Sequence, residues 1–383
     1  MKAKDIIPQA AIAALLTIFM LVLVEIYTMM SANQANADLN TLMLIMMGMV
    51  GFAFVAGGFA AAYLAARNQK DTMDRALASS SMEGIITVLV VGLLYTAWLV
   101  ASGGDTGEAL LSLTLMLVQL GMVAVGASAI GGLLFTLISG SGQSTVSAAI
   151  GQSLKAYTKA PTAIVPPIVF AALGGAFIAV MELVPDYIAG ENEALAASLL
   201  LTLVAVAFIS LAMASIVLAV EKKRGLLGLF SASLSAGLKA FASMIAVIAP
   251  PAALVTIAVW ATLASDAVAA WVPYLLPFAG LAAVIYFVAF TFAPFSAVAD
   301  KASALASMKK SLAFVRAKPM AVLAMGGAIV LLTLAIDLAL IVIDFAAFTV
   351  GLDSTTATAV VSPILNMVVV SSCMAAFYMG GKK

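Results

Sequence analysis

Residues 195–220, LAASLLLTLVAVAFISLAMASIVLAV, contain no charge, and the run is bounded by Glu191 and Glu193 on one side and by Lys222, Lys223 and Arg224 on the other. At 1.5 Å per residue a helix of this length measures roughly 39 Å, enough to cross the roughly 30 Å hydrocarbon layer of a bilayer. The flanks also give it a direction. Lys and Arg are retained on the cytoplasmic side of spanning helices, so the acidic end faces outward.

The pattern repeats along the chain, in which 64% of the 383 residues are hydrophobic and 9% are charged. Soluble domains carry about 25% charged residues, which they need for a hydrated surface. The sequence therefore predicts an all-α polytopic membrane protein, a single transmembrane domain over residues 1–383. Ten candidate spans lie near 7–30, 41–66, 84–102, 108–138, 162–184, 195–220, 244–264, 270–296, 319–345 and 356–380.

In a ten-span arrangement all eighteen basic residues fall on one side, from Lys2 and Lys4 to Lys382 and Lys383. The opposite loops hold Asp38, Asp105, Glu108, Asp186, Glu191, Glu193, Asp266 and Asp353 and no Lys or Arg. Trp98, Trp260 and Trp271 fall at the outer ends of their spans, the level an indole prefers. The expectation is a prokaryotic plasma-membrane protein with both termini cytoplasmic. Lys2, Lys4 and the small residues Ala35 and Ala37 also suit a cleavable leader. The apolar run from Ile6 to Met30 is long for one, and it is read as the first span.

Composition excludes several chemistries. Without histidine there is no His-ligated haem, copper or zinc and no His-based relay or triad. One cysteine, Cys373, forms no internal disulfide. The balance of eighteen basic and eighteen acidic residues argues against a nucleic-acid partner. No phosphate loop, nucleophile elbow or metal-spaced cluster is present, so no cofactor is expected and the chain is read as a non-enzyme.

Three segments align without gaps: SLKAYTKAPTAIVPP from Ser153, GLKAFASMIAVIAPP from Gly237 and SLAFVRAKPMAVLAM from Ser311. Val146, Ile150, Leu154 and Tyr157 match Phe230, Leu234, Leu238 and Phe241, and these match Ala304, Met308, Leu312 and Val315. That spacing marks one helical face, with Lys and Ser on the other. Each unit reads as an amphipathic helix on the cytoplasmic membrane surface, a sharp turn and a spanning hairpin. Weaker copies begin at Arg75 and at Met1, giving five parallel hairpin units near 1–66, 67–139, 140–220, 221–296 and 297–383.

The segment FTFAPFSAVADKASALASMKKSLAFVRAKPMAVLAMGGAIVLL, beginning at Phe290, resembles the repeated pattern of YciC-like proteins. It is also similar to the membrane domain attached to some glycerophosphodiester phosphodiesterases. Ala306, Ser307, Ser311, Leu312, Arg316 and Lys318 carry the likeness, with Ala148, Ser153, Leu154 and Lys159 in an earlier copy. The resemblance implies a multi-pass membrane protein and supplies no catalytic residue.

Carboxylates in or near spans are the first candidates for function, because an ionised acid in lipid is costly. Asp337 and Asp344 share a helical face and suit either a cation site or structural hydrogen bonding. Glu25 and Glu182 fall near the outer boundary of the hydrocarbon layer. The diproline pairs Pro166, Pro167 and Pro250, Pro251 are expected about five residues inside their spans, where each kinks its helix and frees carbonyls. Lys155, Lys159, Lys239, Lys309, Lys310 and Arg316 are candidate contacts for anionic lipid.

These features point to a non-catalytic scaffold or accessory subunit, in contact with membrane lipids and with other membrane subunits or copies of itself. The alternative is a channel or transporter for a small solute or cation, with a path between hairpins. Scarcity of charge at the bilayer midplane favours the former.

Overall fold

The computed structural model describes residues 3–32, 39–66, 72–139, 145–187, 191–221, 225–265, 271–349 and 355–381. Nearly all of the described residues are helical, and none of them forms a strand. The helices are α1 (Ile7–Ala32), α2 (Leu39–Ala66), α3 (Thr72–Ala101), α4 (Thr106–Ser139), α5 (Thr145–Lys159), α6 (Val165–Tyr187) and α7 (Glu191–Glu221). They continue with α8 (Leu226–Ala264), α9 (Val272–Phe290), α10 (Ala293–Ala299), α11 (Ala304–Ala317), α12 (Pro319–Thr349) and α13 (Thr355–Gly380). Ten stretches among the described residues are long and apolar enough to cross a membrane, the eighth running through α9 into α10. The chain is an all-α, multi-pass membrane protein.

Two compact units form, Met1–Ser147 with Ile257–Val284 and Lys318–Leu331, and Ala148–Thr256 with Ile285–Ala317 and Leu332–Lys383. These boundaries cut across the five expected hairpin units. In the first unit α1 to α4 pack as one bundle, so two hairpins share a core. In the second, α6 and α7 form a hairpin covered by α13, and α10 packs against α7, α11 and α13.

Local chemistry sets several helix ends. The α3–α4 hairpin turns at Gly103, whose φ of 87° is accessible to glycine at little cost. Gly104 N–H donates to Leu99 O at 3.0 Å and Gly103 N–H to Val100 O at 3.1 Å, the paired bonds that close a helix C-terminus. Asp105 then caps α4, accepting from Gly107 N at 2.7 Å and Glu108 N at 3.1 Å. The α5 N-terminus is capped from another helix. Asp74 of α3 accepts from Thr145 N at 2.9 Å, Thr145 Oγ1 at 2.6 Å and Val146 N at 3.2 Å.

Four sequence expectations change. Helix α3 begins at Thr72, twelve residues before the expected start at 84: its polar first turns are buried, with Ser79 and Ser80 bonded to carbonyls of α3 itself and Asp74 bonded to the α5 N-terminus. Residues 229–242 are not a separate surface helix with a turn, since α8 runs unbroken from Leu226 to Ala264 with Pro250 and Pro251 inside it. Pro166 and Pro167 instead occupy the first turn of α6, after one turn of 3-10 helix at Pro161–Ile164. Amide donors there have no intrahelical partner to lose, so these prolines start the helix and do not kink it.

The fourth change concerns the segments expected as surface helices, now α5, the first half of α8 and α11. Four of their serines, expected on the solvated face, turn inward: Ser153, Ser233, Ser307 and Ser311 are buried. Leu154 and Leu238 point away from the chain, 60% and 72% exposed. Helices in lipid gain more from close packing of small residues than from burying leucine, because acyl chains are as apolar as leucine.

Candidate functional site

Glu83 lies eleven residues into α3, about 16 Å along the axis at 1.5 Å per residue, and is completely buried. Its Oε1 accepts hydrogen bonds from Thr17 Oγ1 of α1 at 2.6 Å and from Thr87 Oγ1, one turn on, at 3.0 Å. Ser128 of α4 stands beside the carboxyl. It does not reach hydrogen-bonding geometry, so Ser128 Oγ and Glu83 Oε2 are both buried without a hydrogen-bond partner.

Glycines bring the four helices close enough for this. A Cβ added at Gly57 of α2 would collide with Thr17 Oγ1 and fall 2.7 Å from Glu83 Oε1. One at Gly84 would lie 3.0 Å from Ser128 Oγ. Cβ atoms at Gly58 and Gly131 would overlap the Ser128 and Val55 carbonyls, so α2 and α4 touch backbone to backbone. Further along α3, Phe54, Val88 and Ala124, with Leu21, Val50 and Leu117, form an apolar layer. A cavity of about 440 Å³ lies between α1 and α2, lined by Met20, Leu23, Val24, Ile45, Gly48, Met49 and Phe52.

The sequence reading missed Glu83 because it began the third span one residue later. The signal available was ASSSMEG at 78–84, a run of small residues and hydroxyls leading directly into an apolar stretch. Ser79, Ser80 and Ser81 are all fully buried. Polar residues lower the hydropathy of a window, yet small polar residues are also what tightly packed spanning helices use at their contacts.

A second polar cluster contains Asp337, as the sequence suggested. Its Oδ1 accepts from Ser362 Oγ at 2.6 Å and Asn366 Nδ2 at 2.9 Å, both on α13. Asp344, half-buried on α12, also makes an interaction. Glu25 is exposed on α1, and the Glu182 side chain lies outside the described residues. Pro250 is exposed on α8, whereas Pro166 and Pro167 are buried. Lys155, Lys159, Lys239, Lys309, Lys310 and Arg316 are exposed, with Lys310 Nζ paired to Asp300 Oδ2 at 3.1 Å.

The serines of the resembling segment have structural work. Between α9 and α10 the helix breaks, and Ser311 Oγ donates to Ala289 O at 2.8 Å while accepting from Phe292 N at 3.2 Å. Ser307 meets Ser243 at 2.8 Å, and its carbonyl accepts from Ser296 at 3.1 Å. In the earlier copy Ser153 contacts Cys373 Sγ at 3.4 Å and Tyr157 pairs with Ser372 at 2.7 Å. Burial pushes the Tyr157 phenol above its usual value, against the opposing effect of the Ser372 hydrogen bond.

Among the described residues no three Cys, Asp or Glu side chains are grouped to hold a metal. No protein-family model matches the chain, and neither a curated protein nor a solved structure gives a significant match.

Proposed function

We propose that the protein is a non-catalytic integral membrane component, a scaffold or accessory subunit in a prokaryotic plasma membrane with both termini cytoplasmic. The observation that carries this reading is the pairing of exposed leucines with exposed cations on the surface helices. Leu154 adjoins Lys155 on α5, and Leu305 lies one turn from Lys309 on α11. Helices of this kind lie in the headgroup layer, leucines in the acyl region and lysines drawn outward to anionic lipid at about 1 kcal/mol each.

Support for lateral partners comes from the spans. Only 11% of the spanning stretches of α8 and α12 is buried by the chain itself, against 56% for α7. Lipid, a second copy or another membrane subunit covers those faces. The five parallel hairpin units would make such a protein a broad platform, basic on the cytoplasmic side and acidic outside.

Topology is tested by single cysteines at Asn192 and Gly225 in a Cys373→Ser background. An impermeant thiol reagent should label them from opposite faces; labelling of both from one face would refute the orientation. Function is tested in sealed vesicles, where the protein alone should pass no solute above empty vesicles and should co-purify with a partner in mild detergent. A saturable flux would favour the channel or transporter alternative.

A further inference from the structure

We propose that Glu83, with the hydroxyls of Thr17, Thr87 and Ser128, is an intramembrane site for one exchangeable monovalent cation, either a proton or a sodium-sized ion. The proposal holds whether the protein is a docking component or a carrier, since it concerns occupancy of the site and not passage through it.

The argument is one of charge and valence. A carboxylate fully removed from water must be neutralised, because desolvating an unpaired charge is among the most expensive events in a fold. Among the described residues no basic side chain does this for Glu83. The groups meeting it from α1, α2 and α4 are Thr17, Gly57 and Ser128, all uncharged. Along these helices the charged residues are Glu25 on α1, none on α2, and Glu108 on α4. On α3 itself Asp74 and Arg75 are the other charged residues, the nearer about 12 Å down the axis at 1.5 Å per residue. Asp74 is in any case engaged with the α5 N-terminus.

A single positive charge fits the open valences. Oε1 is occupied by two hydroxyl donors, whereas Oε2 and Ser128 Oγ are bare and buried side by side. A proton on Oε2 gives that atom a donor for Ser128 Oγ to accept. A sodium-sized ion would instead take Oε2 and Ser128 Oγ as hard oxygen ligands, the type that alkali and alkaline-earth ions prefer. A divalent ion would leave excess charge, as the other acids of α1 to α4, Glu25, Asp74 and Glu108, make no hydrogen bond with the residues of the cluster. Exchange between the two cations is neutral: one leaves as the other binds.

The test uses the purified full chain in mild detergent with dicyclohexylcarbodiimide, which modifies protonated carboxyls in apolar surroundings, and locates the adduct by mass spectrometry. Melting temperature is followed in parallel. Labelling at Glu83 should be absent in Glu83→Gln and should slow as pH rises or as sodium chloride replaces choline chloride. Slowing by sodium identifies the metal ion, and slowing by pH alone identifies the proton. Sodium or pH should shift the melting temperature of the wild type and leave Glu83→Gln unmoved. Should Glu83→Gln fail to fold, Ser128→Ala takes its place, moving the half-effective sodium or proton concentration about tenfold, as expected for one lost contact to a charged group. A wild-type protein whose labelling and melting both ignore pH and sodium would overturn the proposal.

Discussion

The buried polar groups of the two units are finished differently. In the α1–α4 bundle, Glu83 Oε2, Ser81 Oγ and Ser128 Oγ are buried without hydrogen-bond partners. In the second unit hydroxyls close on one another or on the backbone, as Ser243 does with Ser307, Tyr157 with Ser372 and Ser311 with the α9–α10 break. Exceptions there are Tyr286 Oη and Asn366 Oδ1. Asp337, with two donors on Oδ1 and partial exposure, resembles the second unit's pattern and contrasts with Glu83. A closed polar group locks helices together, whereas an open one buried among apolar side chains has valence to spare for something that comes and goes.

The contrast can be broken most severely at Gly131. Leucine there would drive its side chain into the Val55 carbonyl, and we expect a loss of about 3 kcal/mol or more in thermal or denaturant unfolding. Leucine at Gly175 of the second unit, where a Cβ meets nothing, should stay within about 0.5 kcal/mol. Next, Glu83→Ala removes a buried side chain and strands Thr17, Thr87 and Ser128, and should destabilise by about 2–4 kcal/mol in the same measurement.

In the second unit, Ser311→Ala leaves Phe292 N–H and Ala289 C=O unpaired at the helix break and should lower stability by about 1–3 kcal/mol. Tyr157→Phe is smaller, about 1 kcal/mol, with a distinct pH signature. Burial raises the Tyr157 phenol in the folded state, so the stabilisation it provides is complete below its unfolded value near 10. It is lost as pH rises through the folded value. Wild-type melting should therefore fall more steeply above pH of about 10 than that of Tyr157→Phe. Smallest of all, Asp337→Asn keeps an oxygen for Ser362 and Asn366 and should change the melting midpoint by less than about 0.5 kcal/mol. A large loss there would show that Asp337 resembles Glu83 after all.

Sequence alone determined the membrane class and the number of candidate spans, because hydrocarbon thickness imposes a length and a ban on charge that can be counted residue by residue. Ten apolar runs in the chain became ten apolar helical stretches in the structure. The expected outward position of Trp98, Trp260 and Trp271 and the expected sidedness of Lys and Arg rest on the same local arithmetic. Asp337 was legible for the same reason, as a charge interrupting an apolar run.

Packing was not legible. Whether residues 229–242 turn away from the membrane or continue into α8 depends on neighbours, and the same aligned pattern gave a separate α5 in one copy and an unbroken α8 in another. The inward turn of Ser153 and Ser311 follows from what lies against them, Cys373 in one case and a broken helix in the other. Glu83 is the clearest instance. Hydropathy placed it at the edge of a span, since a window average registers a carboxylate only as polarity. Its burial was decided by Gly57, Gly84 and Ser128, residues distant or inconspicuous in sequence that allow α1, α2 and α4 to close around α3. A spanning run is a property of consecutive residues, and a polar site inside a bundle is a property of four helices brought into contact.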